Sequence, residues 1–448
     1  MVTGNLLIVI FLLSLAALFF MILKLKVDPF ISLIAVAFAA ALALGFPLAD
    51  IPGVVAGGFG NTLVGVGILI GLGVIFGNFL GASGAIEKIA GAVLKLFGVK
   101  RSAAGLSLTG VAVSIPVFFD AAFVILSGLV RSLSRRTGIS IVTFVTALGI
   151  GLIVSHSMIA PTPGPMVVAE NTGSDLGLFI VYGLICAIPA ALVGGFLYGS
   201  FIGKRIPGTV VEEELVQEEA VAYKKEISTR LSFFMLALPI VLILLNTITQ
   251  IWLEEGSTLS SILGFIGDKN VALFISVLVA IIVLKPYINV SYKNLYDEAI
   301  ESAGMIILVT GAGGAFGAVI NQSGIGDHLI ETMQGWSIPV LVLAFIFAQI
   351  LRASLGSATV ALVTTSSIMG PMAAELGASP ILLGLAICAG AIGLSLPNDS
   401  GFWVVNKFGG LTIPQTIQAW SLGGFIAGLT ALTMVYILSL FSGILPGL

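Results

Sequence analysis

The sequence predicts an all-α, polytopic membrane protein that consists of two inverted repeats. The composition, the spacing of the apolar stretches and an internal duplication lead to this prediction. Of the 448 residues, 58% are hydrophobic and only 9% are charged, whereas soluble domains carry about 25% charged residues. At roughly 20 apolar residues for each crossing of the lipid core, the chain has room for about ten spans.

The charge balance and the cysteines exclude several classes of protein. With 19 Lys and Arg against 22 Asp and Glu, the formal net charge is −3, so no basic surface is expected to bind nucleic acid. Cys186 and Cys388 lie inside apolar stretches, and their spacing suits neither a disulfide framework nor a zinc site. We therefore expect no nucleic-acid partner, no metal site and no cofactor.

Continuous apolar stretches define the predicted spans. They lie near residues 4–23, 29–48, 61–80, 139–157, 178–203, 231–250, 270–284, 303–321, 380–396 and 415–440. Two further stretches, 103–130 and 337–370, are too long for one crossing and are predicted to form re-entrant hairpins. The charged stretch 204–230 is predicted to be a cytoplasmic linker between repeats at residues 1–203 and 231–448.

The two halves share a pattern of glycines at equivalent places. The corresponding residues are Gly71 and Gly311, Gly73 and Gly313, Phe76 and Phe316, Gly77 and Gly317, Ser83 and Ser323, and Gly84 and Gly324. Since the predicted spans repeat as well, we interpret the pattern as an internal duplication.

The distribution of basic residues predicts that the repeats have opposite orientations. Lys and Arg are retained on the cytoplasmic side of short loops, which places Lys24, Lys26 and the linker inside. The first hairpin, flanked by Lys100 and Arg131, would enter from the cytoplasm, and the second, with no nearby base, from outside. Each repeat then has five spans and one hairpin, and both termini lie outside.

Inverted repeats with interrupted helices are typical of secondary transporters, whose substrate sites form where the irregular backbone meets near the midplane. Such backbone is costly in lipid unless it lines a cavity or is buried in protein. The predicted interruptions lie at 114–120 and 351–359 in the hairpins, and at 156–165 and 397–403 in the spans.

The motifs at these interruptions resemble the gluconate permease family of proton-coupled sugar-acid symporters, within the wider group of inverted-repeat ion transporters. The resemblance covers essentially the whole chain. It is carried by Ile-Pro-Val-Phe-Phe-Asp at 115–120, Pro-Gly-Pro at 163–165, Arg352 with Leu-Gly-Ser-Ala-Thr-Val at 355–360, and Asn-Asp-Ser-Gly-Phe-Trp at 398–403. Family members typically have a second histidine where this chain has Thr162, and often Glu where it has Asp120.

Arg352 is the most informative single residue. A guanidinium group within the membrane is costly unless it pairs with an anion, and its planar fork matches a carboxylate. It would therefore bind a substrate carboxylate, or it would form a structural ion pair with Asp120 or Asp399. The hydroxyls of Ser354, Ser357 and Thr359 would complete a carboxylate cradle, although small residues at these positions also suit helix packing.

Asp120 and Asp399 are the candidate ion-coupling residues, because a desolvated carboxyl group near the midplane can bind a proton reversibly. Alternatively, each accepts hydrogen bonds from a broken helix end. His156 would titrate, donate to a freed carbonyl or bind substrate hydroxyls. The remaining candidates for hydroxyl recognition are Asn398, Ser400 and Thr162.

These residues, together with the family resemblance, lead to the hypothesis of a bacterial cytoplasmic-membrane symporter, not an enzyme. The resemblance implies that it imports gluconate or a related hydroxylated monocarboxylate with protons. The alternative cargo is D-serine, glycerate or a citrate-like anion, with sodium as the coupling ion. The resemblance also implies a mobile transport domain of hairpins and broken spans, a stationary dimerising scaffold and thus an elevator-type homodimer in lipid. An intramembrane hydrolase is disfavoured, because the adjacent side chains of Ser155 or Ser157 and His156 point about 100° apart on a helix.

Overall fold

The structure is a computed structural model that describes residues 5–98, 101–206, 224–252, 257–324, 339–371, 373, 377–396 and 399–448. Over these ranges the chain forms helices and no β-strand, as the all-α prediction requires. Residues 207–223 of the predicted linker and residues 325–338, which include the start of the second predicted hairpin, lie outside the described residues.

The first half contains ten α-helices among its described residues. They are α1 (Asn5–Leu23), α2 (Pro29–Ala43), α3 (Ile51–Ala82), α4 (Ala85–Phe97), α5 (Ser102–Val113), α6 (Phe119–Thr137), α7 (Ile141–Met158), α8 (Pro163–Thr172), α9 (Leu176–Ala190) and α10 (Tyr198–Arg205). A π-helical segment, Ala191–Leu197, joins α9 to α10 without a break.

The second half also contains ten α-helices among its described residues. Its helices are α11 (Thr229–Trp252), α12 (Thr258–Gly267), α13 (Lys269–Leu284), α14 (Tyr292–Gln322), α15 (Val340–Leu355), α16 (Ala358–Met369), α17 (Pro380–Ile392), α18 (Ser400–Gly409), α19 (Ile413–Thr416) and α20 (Leu422–Ser439). A second π-helical segment, Ile417–Ser421, joins α19 to α20.

Among the described residues, fewer helices reach the length of a full membrane span than the ten spans predicted. Among the described residues, five helices are long and apolar enough to cross a membrane, or up to seven if two bent helix pairs each count as one span. The predicted spans 29–48 and 380–396 form the shorter helices α2 and α17. The bent pair α12 and α13 meets at an angle of 65°. Hydropathy counts apolar residues and does not register where a helix bends or stops.

Two helices start well before their predicted spans. α3 begins at Ile51 rather than near residue 61, with Pro52 in its first turn, a position where proline is tolerated. α14 begins at Tyr292 rather than near residue 303, and its first turns carry Asp297 and Glu298. Charged residues lower the hydropathy of this part, so an apolar window detects only the rest of the helix.

Both stretches predicted as hairpins divide into two helices. α5 and α6 are separated by residues 114–118, and both pack against α7. α15 and α16 are separated by Gly356 and Ser357 and pack against each other. Gly356 has a φ of 68°, a left-handed conformation that glycine adopts without a steric penalty. The side of the membrane from which each pair enters remains a prediction.

The long helices α3 and α14 contact each other along their length, and the two hairpins pack against them. A Cβ atom on Gly77 of α3 would lie 2.3 Å from the Pro116 carbonyl oxygen, and one on Gly317 of α14 would lie 2.5 Å from that of Ser367. Both glycines therefore lie against the backbone of a hairpin, Gly77 at the turn between α5 and α6 and Gly317 near the end of α16. α2 also packs on α14, and α13 packs on α3. Such reciprocal contacts agree with the predicted duplication, whereas the inversion of the repeats remains a prediction.

Two helices at the centre of the molecule lead to the interrupted segments. α7 is buried at all of its positions from Ile141 to Met158, and α17 is buried from Ile381 to Ile392. Close backbone contacts hold α7 in place: a Cβ atom on Gly151 would lie 2.1 Å from the Ser107 carbonyl oxygen of α5. Small residues permit such close approach of membrane helices.

Gly151→Ala is therefore expected to destabilise the folded protein by about 1–3 kcal/mol, because the added methyl group forces α5 away from α7. Thermal unfolding of the detergent-purified protein would measure the change. Gly71→Ala is the matched control, since a Cβ atom there meets nothing within 4 Å. Equal unfolding midpoints for the two variants would contradict the close backbone contact.

Candidate functional site

The candidate site lies where the two interrupted spans come together. α7 ends at Met158 and α8 begins at Pro163, because prolines such as Pro161 remove backbone donors and prevent a continuous helix. In the second half, α17 ends at Ile392 and α18 begins only at Ser400. α17 packs against both α7 and α8, and α16 packs against α8. Hydrogen-bonding backbone from both halves is thus brought into one buried region.

A buried ion pair occupies the centre of this region. Arg352, three residues before the end of α15, is 2% exposed, and Asp399 in the second interruption is 4% exposed. Arg352 Nη2 lies 2.5 Å from Asp399 Oδ2. Of the two roles predicted for Arg352, the structure contains the ion pair with Asp399.

The carboxylate of Asp399 is held by further donors. Its Oδ2 atom also accepts a hydrogen bond from Ser395 Oγ, and its Oδ1 atom accepts one from the Gly401 backbone N–H at 3.0 Å. Asp399 is thereby the N-cap of α18. With the Arg352 guanidinium, three donors converge on this carboxylate.

A tryptophan connects this carboxylate to the first hairpin. Trp420 Nε1, in the second π-helical segment, donates to Ser395 Oγ at 2.7 Å, and the same serine donates to Asp399. The indole ring stacks on Phe119 at the start of α6, with 4.8 Å between the ring centroids. The ion pair and the tip of the first hairpin are thus joined through one chain of contacts.

His156 and Thr162 mark the end of α7. His156 is 5% exposed, and its Nε2 atom lies 3.4 Å from Thr359 Oγ1, which links the first interruption to the second hairpin. Its ring packs against Phe118 at 5.7 Å. Thr162 Oγ1 lies within donating distance of the carbonyl oxygens of Ile159 at 2.6 Å and His156 at 3.1 Å. The Thr162 hydroxyl proton is therefore engaged with the helix end, and only its lone pairs can serve a ligand.

Several polar atoms around the ion pair have no hydrogen-bond partner among the described residues. They include Arg352 Nε and Nη1, His156 Nδ1, Ser155 Oγ and Ser157 Oγ. Burying a polar group without a partner costs about 1–3 kcal/mol, more if it is charged, so native proteins pair such groups with water or a ligand. The arrangement can therefore accept an anion at Arg352 and hydroxyl groups near His156.

Asp120 differs from its predicted environment. It lies in the first turn of α6, next to Phe119, and its side chain is exposed. This exposure contrasts with the burial expected for a coupling carboxylate, and the coupling role of Asp120 remains a prediction. Of the two coupling candidates, only Asp399 is buried beside Arg352.

The remaining predicted binding residues are Ser357, Asn398, Ser354 and Ser400. Ser357 Oγ accepts a hydrogen bond from the Val360 N–H at 3.3 Å, so it caps α16. Asn398 and the side chains of Ser354 and Ser400 lie outside the described residues. Their predicted roles in binding remain predictions.

Sequence reasoning missed three polar residues that organise the site. Ser395 and Trp420 connect Asp399 to the first hairpin, as described above. Asn171 of α8 donates from Nδ2 to Ser366 Oγ at 2.9 Å and Ser367 Oγ at 3.2 Å, which ties the first interrupted span to α16. Their partners are distant in sequence, and no local motif marks them.

Among the described residues, no group of three or more His, Cys, Asp or Glu side chains could hold a metal ion. Cys186 and Cys388 are both buried and free.

The chain is similar to bacterial permeases along nearly its whole length. It is 36% identical to an uncharacterized permease of Haemophilus influenzae over 439 residues, covering 92% of this chain and 90% of the relative. It is 33% identical to the low-affinity gluconate transporter of Escherichia coli K12 over 421 residues, covering 93% and 94%.

The fold resembles that of the Alcanivorax borkumensis YdaH transporter, with a TM-score of 0.65 at 16% identity, over 92% of this chain and 98% of that chain. Residues 6–441 match the family described as GntP family permease. The relatives are permeases and transporters rather than enzymes. The chain therefore belongs to the GntP permease family and is a membrane transport protein.

Proposed function

We propose that the chain imports gluconate, or a related small hydroxylated monocarboxylate, by proton symport across the bacterial cytoplasmic membrane. The observation that carries the proposal is the buried guanidinium of Arg352, which holds one carboxylate and has two nitrogens without partners among the described residues. The relatives named as gluconate transporters support the choice of cargo.

Arg352 binds the substrate carboxylate in this proposal. Its contact with Asp399 indicates that a carboxylate fits beside the guanidinium at this depth. A buried arginine discriminates strongly in favour of anions, because an uncompensated buried charge costs about 3–5 kcal/mol. A single arginine among the described residues of this site suits a monocarboxylate better than a citrate-like trianion.

Proton coupling follows from competition for the same guanidinium. When the substrate carboxylate takes the place of Asp399 at Arg352, the site would hold two negative charges and one positive charge. Protonation of Asp399 restores neutrality, so one proton enters with each substrate carboxylate. Asp120, exposed at the tip of the first hairpin, is the second coupling candidate and would act at the site entrance.

The remaining polar atoms recognise the hydroxylated chain. His156 Nδ1 and Ser157 Oγ lack partners among the described residues, and Thr359 is half-buried beside the His156 ring. Thr162 contributes its lone pairs. Ser354, Ser357, Asn398 and Ser400 are proposed to complete the pocket.

The transport cycle is proposed to be of the elevator type. The hairpins and interrupted spans move as one domain against a dimerising scaffold, with both termini outside. Cross-contacts such as Trp420 with Phe119 and Asn171 with Ser366 support a unit in which both hairpins and both interruptions move together.

Uptake of labelled gluconate into proteoliposomes tests the proposal directly. An inward proton gradient, a sodium gradient and no gradient are compared. Accumulation above the external concentration is expected only with the proton gradient. Sodium-driven uptake, or uptake of D-serine, glycerate or citrate in place of gluconate, would favour the alternative cargo and coupling ion.

Arg352→Ala is expected to weaken gluconate binding by roughly 30-fold or more, because one partner of a buried charge contact is removed. Arg352→Lys keeps the charge but loses the planar fork, so an intermediate loss is expected. Calorimetry on the purified protein measures both. The double variant Arg352→Ala with Asp399→Asn also removes the carboxylate that would be left without its partner. Arg230→Ala, at an exposed arginine, is the control. Unchanged affinity in folded Arg352→Ala would contradict the carboxylate role.

Asp399→Asn is expected to keep gluconate binding and gluconate exchange but to abolish accumulation driven by a proton gradient. The amide has the shape of the protonated acid and cannot ionise. Exchange and gradient-driven uptake are measured in the same proteoliposomes. Asp50→Asn, at an exposed aspartate before α3, is the matched control. Proton-driven accumulation that survives in Asp399→Asn would assign the coupling to another group, with Asp120 the next to test.

A further inference from the structure

Gln349 is a buried polar residue that the site described so far does not use. We infer that its side-chain amide recognises a hydroxyl group of the substrate and so determines specificity for hydroxylated acids. This inference rests on the proposed function, since it concerns the same site and the same substrate class.

The amide of Gln349 is buried without a partner. The residue is 6% exposed, and neither Nε2 nor Oε1 has a hydrogen-bond partner among the described residues. A carboxamide that buries both a donor and an acceptor is costly, because each group loses its bonds to water. A bound molecule that both donates and accepts would remove this cost.

Gln349 occupies a position on α15 close to that of Arg352. It lies three residues before Arg352 on α15, so the two side chains share one face of the helix. The rise over three residues is roughly 4.5 Å. This is about the separation between the carboxyl group of a sugar acid and a hydroxyl on its third or fourth carbon. One ligand can therefore contact both side chains.

The backbone next to the amide is the unwound segment that also supplies Ser395 and Asp399. A Cβ atom on Gly393 would lie 3.0 Å from Gln349 Oε1. The next residue, Leu394, has a φ of 49°, a left-handed conformation that is unfavourable for a bulky side chain. Strained backbone of this kind is concentrated at ligand sites, where the surrounding structure maintains it.

The chemistry of the amide favours a hydroxyl group over a cation. A hydroxyl both donates and accepts, so it can pair with Oε1 or with Nε2. A coupling cation would use only Oε1 and would leave the amide donors unpaired. It would also lie about one helical turn from the Arg352 guanidinium, whose positive charge repels it.

Binding of gluconate and of its 2-, 3- and 4-deoxy analogues to the purified full-length protein tests the inference. The wild-type protein is expected to bind one of the deoxy analogues roughly tenfold more weakly than gluconate, the loss typical of one buried hydrogen bond. Gln349→Met keeps the length of the side chain and removes the amide. Its affinity for gluconate is expected to fall to its affinity for that analogue, so the tenfold ratio becomes about one.

Gln418→Met is the matched control, since it makes the same chemical change at an exposed glutamine and should keep every wild-type ratio. If Gln349→Met does not fold, Gln349→Asn retracts the amide by one carbon and should weaken gluconate binding while sparing the affected analogue. If a folded Gln349 variant keeps the wild-type ratios of gluconate affinity to deoxy-analogue affinity, the inference is wrong. It is also wrong if the variant changes only the dependence of binding on protons or sodium. Failure of the wild-type protein to bind gluconate would instead overturn the proposed function and this inference with it.

Discussion

The buried contact between Arg352 and Asp399 is the interaction on which the rest of the site depends. Two charges at this depth are stable only together, because either alone would lose its hydration without compensation. The structure surrounds the carboxylate with Ser395, the Gly401 N–H and the guanidinium. Arg352 retains nitrogens without partners among the described residues. The Asp399 carboxylate thus has its hydrogen-bond donors, whereas the Arg352 guanidinium can still donate to another group.

The interruptions of the helices are what bring these groups into contact. A continuous helix satisfies its backbone internally and has no free ends to offer, whereas each interruption provides a new N-terminus and C-terminus inside the protein. Asp399 and Ser357 both occupy the N-caps of half-helices, and Thr162 satisfies carbonyls at the end of α7. The cost of broken helices is offset locally by these side chains, and the same side chains define the polar region.

Glycines determine how closely the surrounding helices approach. Gly77 and Gly317, at equivalent places in the two halves, each face a backbone carbonyl of a hairpin, and Gly151 faces a carbonyl of α5. The shared glycines, which the sequence analysis interpreted as an internal duplication, permit close helix packing in the structure. The sequence pattern does not identify which helices pack together, because any two helix faces made of small residues could approach each other closely.

Local chemistry made much of the site predictable. A cluster of prolines at 161–165 and the single Pro397 accompany the two predicted interruptions of the spans. A lone arginine and aspartate within apolar surroundings predicted a charged site among the membrane helices. Other residues escaped detection because their significance depends on distant partners. Ser395 and Trp420 act through Asp399, and Gln349 is conspicuous only because burial leaves its amide without a described partner. Asp120 was expected to be desolvated, whereas its side chain is exposed in the structure.

The sequence by itself determined the membrane class, the helical secondary structure and the positions of the helix breaks. These follow from composition, hydropathy and proline, which act within a few residues along the chain. Only the tertiary structure decided that Arg352 pairs with Asp399 rather than Asp120, and that Trp420 links this pair to the first hairpin. Pairing between residues far apart in sequence depends on which helices lie side by side. That choice is made by packing over the whole molecule, and no local pattern encodes it.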